Sequence, residues 1–234
     1  MINNNIYMDA IKTVIFIFLL GCLNPGNNKS IEKETGKLEN NLVQEFYENG
    51  NIHKKYYVTD SIKNGLYCEY YNDGNIYLAG RYKKGLEYGV FHEYYKTGEI
   101  KTILQYAWRE NESFVNNCIS LRENGDTIYS ESSFLKMNLK SDTINYGDTI
   151  EAKIDLCPYF TKSEYHGYFT LKRNMKHMYK IYSNKNSFSY KFMPKQLGHN
   201  SLVGKIEEVT KEYLKDSVDV KIRKYVFNRP YFVK

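Results

Sequence analysis

After residue 40, apolar and polar positions alternate with a period of two, and Asn, Asp and Gly interrupt the alternation at short intervals. This is the pattern of short strands joined by tight turns. Between Asn41 and Gly125 the pattern also repeats as a block. Phe46-Tyr47-Glu48-Asn49-Gly50-Asn51-Ile52 returns 24 residues later as Tyr70-Tyr71-Asn72-Asp73-Gly74-Asn75-Ile76, and again as Tyr94-Tyr95-Lys96-Thr97-Gly98-Glu99-Ile100. The residues before each block keep step: Gly65-Leu66-Tyr67-Cys68-Glu69 matches Gly89-Val90-Phe91-His92-Glu93, and Glu45 fills the same slot one copy earlier. A degenerate fourth copy, from Leu121-Arg122 through Gly125 to Ile128, follows a gap longer by three residues.

Each copy reads as one hairpin. Aromatic and β-branched residues crowd the run up to Tyr71, which favours a strand. Asn72-Asp73-Gly74-Asn75 tolerates positive φ and turns the chain back. Ile76, Leu78 and Tyr82 then alternate with Tyr77, Ala79 and Arg81, and Lys84-Gly85 supplies a second turn. One hairpin is marginal in water, but stacked hairpins share an apolar face and stabilise one another. In this reading Tyr70 and its equivalents face the shared core, and Tyr71 and Tyr95 lie on the opposite, exposed face. Leu121 stands in a partly exposed capping copy.

The period is lost near Ser132. Ile150, Ala152, Ile154 and Leu156 alternate with Glu151, Lys153 and Asp155; Phe188, Tyr190 and Phe192 with Ser189 and Lys191; and Val218, Val220 and Ile222 with Asp219 and Lys221. With Tyr168–Leu171 and Leu202–Ile206 they predict about seven short strands in ~100 residues, which suits two packed antiparallel sheets. For Glu207–Leu214 a strand ending in a charged hairpin is favoured over a short helix. The expected fold class is all-β: a hairpin array over residues 41–132, then a β-sandwich over 133–234.

The pattern Gly-x-aromatic-x-Glu-Tyr-Tyr-x-x-Gly-x-Ile resembles the MORN repeat in its bacterial variant form, over roughly Asn41 to Ser130. The resemblance implies a β-hairpin array used for protein or membrane contacts, in exported or lipid-anchored proteins; some relatives are labelled antitoxin-like. The fourth copy departs from the pattern, with Leu121-Arg122 in place of the double aromatic and Cys118 where Phe91 stands. More weakly, Asp142–Ile150 resembles the opening of bacterial immunoglobulin-like domains.

The N-terminus adds a location. Val14–Leu20 is an apolar run preceded by Lys12, too short to span a bilayer, and Leu19-Leu20-Gly21-Cys22 follows directly. This resembles a bacterial lipobox, which implies a signal peptide over residues 1–21, cleavage before Cys22 and acylation of its thiol. The competing reading is a short hydrophobic N-terminus with an incidental cysteine. Residues 22–40, rich in Asn, Lys and Glu, read as a flexible tether. The expected location is the bacterial cell envelope, with a lipid anchor in the membrane and no nucleic-acid partner.

Charge changes little. The net charge is +6, and from Leu135 onward 19 Lys/Arg stand against 10 Asp/Glu. This either attracts an anionic surface or only solvates the outer faces of a sandwich, and the interleaving of the lysines with strand residues favours the second. Cys68, Cys118 and Cys157 form no Cys-x-x-Cys spacing, so free thiols are expected rather than zinc or a Cys68–Cys118 bridge. None of the five His stands at metal-ligand spacing, so neither metal nor cofactor is expected.

The one row of candidate chemistry is Glu45, Glu69 and Glu93. Neighbours two strands apart lie about 9.5 Å from each other, the upper edge for an inverting glycosidase pair. An envelope hydrolase acting on glycan is therefore one alternative, and an antitoxin-like role another. A structural or binding ladder explains a periodic carboxylate row more simply. The expected function is a non-enzymatic protein-binding or scaffolding module, with Tyr71, Tyr95, Glu69 and Glu93 as candidate contacts.

Overall fold

The computed structural model describes residues 41–109, 111–158, 163–171, 179–183, 185–194 and 196–234. The signal-peptide, tether and Cys22 assignments lie outside them, as does His177. The protein is all-β and built almost wholly of antiparallel pairs. It forms two compact units: the described residues through Val115 with Leu121–Asp126, and Asn116–Ser120 with Thr127–Lys234.

The first unit is built from β1 (Asn41–Phe46), β2 (Ile52–Thr59), β3 (Ile62–Tyr70), β4 (Ile76–Lys83), β5 (Leu86–Glu87), β6 (Gly89–Tyr94) and β7 (Ile100–Arg109). The strand order is β1-β2-β3-β4-β6-β7, continued by β8 (Glu112–Ser120), with β5 paired to β4. All four copies close with the same two hydrogen bonds. The Tyr71 N–H donates to the Asn75 carbonyl (2.8 Å), and the Gly74 N–H to the Tyr71 carbonyl (2.9 Å). Tyr47/Gly50, Tyr95/Gly98 and Arg122/Gly125 repeat this within 0.1 Å. The glycine is needed because φ at Gly74 is +89°, which a Cβ opposes. Where Asn or Asp stands just before the turn glycine, its side chain accepts from the backbone N–H two residues on: Asn49, Asp73 and Asn124 do so at 3.1 Å. The opposite ends turn through Asp60-Ser61 and Lys84-Gly85, all with positive φ, the backbone of tight hairpin turns.

Alternation along β3 sends Tyr67 and Glu69 to one face, Cys68 and Tyr70 to the other. Cys68, Tyr70, Ala79 and Tyr94 form a buried cluster with Ile52, Ile76 and Ile100 against it. The other face carries an aromatic row, Tyr56–Tyr67–Tyr82–Phe91–Tyr106, with ring centroids 5.2–6.0 Å apart. Gly80 makes this row continuous: a Cβ there would lie 2.3 Å from the Phe91 ring. The Lys63 ammonium sits 4.9–5.1 Å from the ring centres of Tyr56, Tyr67 and Tyr82, a cation–π arrangement.

His92 lies on the Cys68 face and is buried; burial lowers its pKa to about 4. The unfolded chain takes up this proton near its ordinary pKa of 6.5 while the folded chain does not. Stability is therefore full above about pH 6.5 and falls towards pH ~4, by up to about 3 kcal/mol. Denaturant midpoints near neutrality and near pH ~4.5 measure this, and His92→Gln is expected to flatten the acid limb.

The second unit packs two sheets over one core. A three-stranded sheet runs β14-β11-β9 and a five-stranded sheet β10-β16-β15-β12-β13. The strands are β9 (Phe134–Leu139), β10 (Thr143–Ile144), β11 (Ile150–Cys157), β12 (Glu164–Leu171), β13 (Tyr179–Ser183), β14 (Ser187–Phe192), β15 (Gly198–Tyr213) and β16 (Val218–Val233). Only β10–β16 is parallel among the described pairs. Ile150, Ala152, Ile154 and Leu156 meet Leu202, Ile206, Tyr225 and Tyr231 in the core. Glu207–Leu214 is strand through Tyr213, as the alternation predicts.

Cys118 and Cys157 are free thiols. Cys68 differs from expectation: it is disulfide-bonded rather than a free thiol. The Cys68–Cys118 bridge is absent, and the two cysteines belong to different units. Cys118 pairs with Ser133 and Cys157 with Phe134, so the two thiols flank a common strand. Two strand spacings exceed the reach of a disulfide.

Asn116 closes part of the outer edge of β16. Its amide nitrogen donates to the Val226 carbonyl (2.9 Å), and its oxygen accepts from the Val226 N–H (2.7 Å). The side chain thus imitates a neighbouring strand. Asn116→Ala strands both backbone groups at a buried position and is expected to destabilise the protein by about 2–4 kcal/mol. Asn116→Asp, which sets a second acceptor against the Val226 carbonyl and adds a charge at a buried position, should be at least as damaging in a denaturant melt at neutral pH.

Candidate functional site

The glutamates and tyrosines singled out by the sequence lie around the repeat turns. Glu45, Glu69 and Glu93 each precede a register shift at the end of their strand. Glu45 stands opposite Lys54, which stands opposite Glu69; Glu69 and Glu93 both stand opposite Leu78. One strand therefore separates successive carboxylates, as the period requires.

Each carboxylate has donors from the array itself. Glu45 Oε1 accepts from the Tyr56 hydroxyl at 2.9 Å, with Lys54 Nζ 3.6 Å from Oε2. The Tyr56 hydrogen bond, with Lys54 beside it, holds the Glu45 carboxyl below its usual range despite slight desolvation. Glu69 accepts from the Tyr67 hydroxyl at 2.8 Å, and His53 Nε2 lies 3.4 Å away. Glu93 accepts from Lys101 Nζ at 2.8 Å and from the Tyr77 hydroxyl. The Glu93 hydrogen bond pushes the Lys101 ammonium up. His53, Tyr77 and Lys101 occupy one slot of the repeat, 24 residues apart. The residue type changes while a donor beside the carboxylate is kept.

Tyr71 and Tyr95 have a role that the sequence did not suggest. The Tyr47 hydroxyl donates to the Tyr70 carbonyl (2.6 Å), the Tyr71 hydroxyl to that of Tyr94 (2.7 Å), and the Tyr95 hydroxyl to that of Leu121 (2.8 Å). Each phenol staples its own turn to the strand end of the next copy. Their rings are half-buried rather than fully exposed. Asn51 and Asn75 add a parallel row, donating to the Asn72 and Lys96 carbonyls at 2.8 and 3.2 Å. The Tyr71 ring packs on Tyr77 at 5.1 Å, with Lys96 Nζ 5.6 Å from its centre. Tyr71, Tyr77, Glu93 and Lys101 thus form one cluster, mirrored a copy earlier by Tyr47, His53 and Glu69.

Leu121 differs from the expectation of a partly exposed capping copy. It is 4% exposed, not partly open. Its N–H donates to the Lys101 carbonyl at 2.8 Å and its carbonyl receives the Tyr95 staple.

Sequence reading missed Glu208, a fully buried carboxylate in the second unit. It accepts from the Ser163 hydroxyl and the Tyr225 hydroxyl, each at 3.0 Å. Burial, and then the Glu208 charge, push the Cys157 thiol and the Tyr225 hydroxyl above their ordinary values. Its signal was available: Leu202, Gly204, Ile206 and Glu208 share one phase of the β15 alternation.

Among the described residues, no group of three or more His, Cys, Asp and Glu side chains could share a metal ion. No described helix is long and apolar enough to cross a membrane. No family model matches the chain, and no curated protein matches it.

Proposed function

We propose that this protein is a bacterial cell-envelope lipoprotein, held by an acylated Cys22, whose MORN-like hairpin array is a protein-binding scaffold beside an immunoglobulin-like sandwich. The observation that carries this reading is the repetition of one hydrogen-bonded turn in four copies, joined by three tyrosine staples. A stapled array holds side chains at fixed spacing on one surface, and a partner that docks on such a surface loses little free energy to ordering it.

The glutamates belong to that surface in this reading. A general acid requires a carboxyl with a raised pKa, and the Glu45 carboxyl is held low. Glu69 and Glu93 are each hydrogen-bonded to tyrosine, and Glu93 also to lysine. Glu69→Gln with Glu93→Gln is expected to leave glycan hydrolysis by purified protein at background, as in the parent, and to weaken a crosslinked partner in the envelope. Hydrolysis present in the parent and abolished in the variant supports the hydrolase instead.

Anchoring has its own test. Acylation turns the Cys22 sulfur into a thioether, and Cys118 and Cys157 are free thiols, so the anchor and the Cys68 disulfide are alternatives within this chain, and the reading predicts that the anchored form lacks that disulfide. Intact mass of the mature protein, with and without reduction, is expected to show a diacylglyceryl adduct that is lost in Cys22→Ala together with membrane association. An unacylated mass, with membrane association unchanged in the variant, removes the anchor from this account.

A further inference from the structure

The hairpin of β15 and β16 is longer than the sheet to which it belongs. β12 pairs with β15 only as far as Val209, opposite Glu164. Beyond that point, among the described residues, β15 and β16 pair only with each other, from Thr210↔Lys221 to Tyr213↔Val218, and the Leu214 N–H closes the turn on the Ser217 carbonyl.

The two faces exchange character where this arm begins. Within the sandwich, Leu202, Ile206 and Tyr225 face the core, while Lys205, Glu207 and Lys224 alternate with them on the outer face. The register continues without a shift. Along the arm the core-side phase becomes polar: Thr210, Glu212, Asp219 and Lys221, with Lys221 Nζ 3.5 Å from both Glu212 and Asp219. The outer phase becomes apolar: Tyr213, Val218, Val220 and Ile222. These four and Leu214 at the tip are between 47% and 76% exposed. Intramolecular packing does not account for an apolar stripe facing away from the core of its unit.

The charge on this stripe selects its occupant. Lysines outnumber carboxylates on it: Lys211 lies within it, Lys205 and Lys224 flank Glu207 at its base, and Lys215 stands beside Asp216 in the turn. The Glu212 and Asp219 carboxylates point the other way. Lys211 meets Glu164 at 3.5 Å, but both are exposed, and such a pair is weak. An anionic lipid surface takes both parts at once, with apolar side chains and the tyrosine ring at the acyl boundary and ammonium groups among the headgroups.

We propose that the β15–β16 arm dips its apolar face into an anionic membrane surface, as a second membrane contact independent of any lipid on Cys22. The test uses the full chain with Cys22→Ala and Tyr213→Trp, with the emission of Trp108 subtracted using the parent Cys22→Ala chain. On phosphatidylcholine vesicles containing phosphatidylglycerol, the emission of the indole introduced on the arm is expected to shift blue and to be quenched by brominated acyl chains. On pure phosphatidylcholine the signal should be much weaker. Val218→Ser, Val220→Ser and Ile222→Ser together should weaken this partition by about tenfold or more. Lys211→Gln with Lys224→Gln, both at exposed positions, should remove the preference for the anionic vesicles and leave the fold intact. An unshifted arm indole on both vesicles, an equal shift on both, or a lipid-free dimer that the serine substitutions dissociate overturns the proposal.

Discussion

Tyr70→Ala is expected to unfold the hairpin array. Tyr70 is buried in the cluster with Cys68, Ala79 and Tyr94, and its carbonyl receives the Tyr47 staple. Truncating a buried aromatic costs about 3–5 kcal/mol, a large share of the stability of an ordinary domain. Its neighbour should behave differently. Tyr71→Phe keeps the ring and removes one hydrogen bond between copies, worth about 1 kcal/mol. The buried Tyr94 hydroxyl, which has no hydrogen-bond partner among the described residues, gives a control of opposite sign: Tyr94→Phe should be neutral or stabilising. Leu121→Ala should cost about 2–5 kcal/mol, because Leu121 is buried. Urea melts of the full chain, with the fluorescence of Trp108 on β7 reporting on the array, give the order. If Tyr71→Phe proves as damaging as Tyr70→Ala, the staples rather than the apolar face hold the array.

Tyr225→Ala is the second large expected effect, in the other unit. Tyr225 is fully buried between the sheets and donates to Glu208, which is fully buried too. The truncation removes the ring, about 3–5 kcal/mol, and takes a donor from a buried carboxylate, about a further 1–3 kcal/mol. Tyr225→Phe isolates the second contribution, since the ring stays. Thermal melts of the pair are expected to separate widely, with Tyr225→Phe losing a minor part of what Tyr225→Ala loses. Equal losses would mean that the hydroxyl, not the ring, dominates at this site.

Much of the architecture was legible because it is periodic. The Asn-Asp-Gly and Asn-Gly turns carry their own conformational requirement, so the 24-residue spacing located the first three repeat turns, and the Asn-Gly signal located the fourth after its longer gap. Alternation placed Tyr70 on the buried face and placed Ile150, Ala152, Ile154 and Leu156 in the sandwich core. The staples were not legible, because a tyrosine hydroxyl that donates to a backbone carbonyl leaves no mark on the residue receiving it. Tyr94 is the acceptor for Tyr71, and Leu121 serves Tyr95 equally well. The same fact explains Arg122. The last turn has no following copy to staple, so the phenol is dispensable there while the Gly125 turn is kept.

Leu121 is buried although its copy is degenerate, because loss of the repeat pattern does not imply exposure. The three extra residues fall in the β7–β8 hairpin, and the copy still receives its predecessor's staple. Alternation also failed to say which faces are covered. Val218, Val220 and Ile222 have the rhythm of core residues and lie in a strand, yet they are exposed on the arm. Glu208 is the converse, a carboxylate in the core phase, tolerated because Ser163 and Tyr225 satisfy it. At the candidate site, the sequence placed Glu69 and Glu93 on regular strand positions. It could not show that His53, Tyr77 and Lys101, one slot of the repeat, supply donors to them.

The central claim is that the array is a surface on which a partner docks in the cell envelope. The most direct measurement places a photo-reactive residue at Asp73 or Thr97 in the array turns, and at Lys191 on β14 as a reference, then irradiates living cells. The account predicts a discrete protein adduct from the turn positions, absent from Lys191 and diminished by Glu69→Gln with Glu93→Gln. The same diffuse labelling from all three positions, with no discrete adduct from the turns, would contradict it.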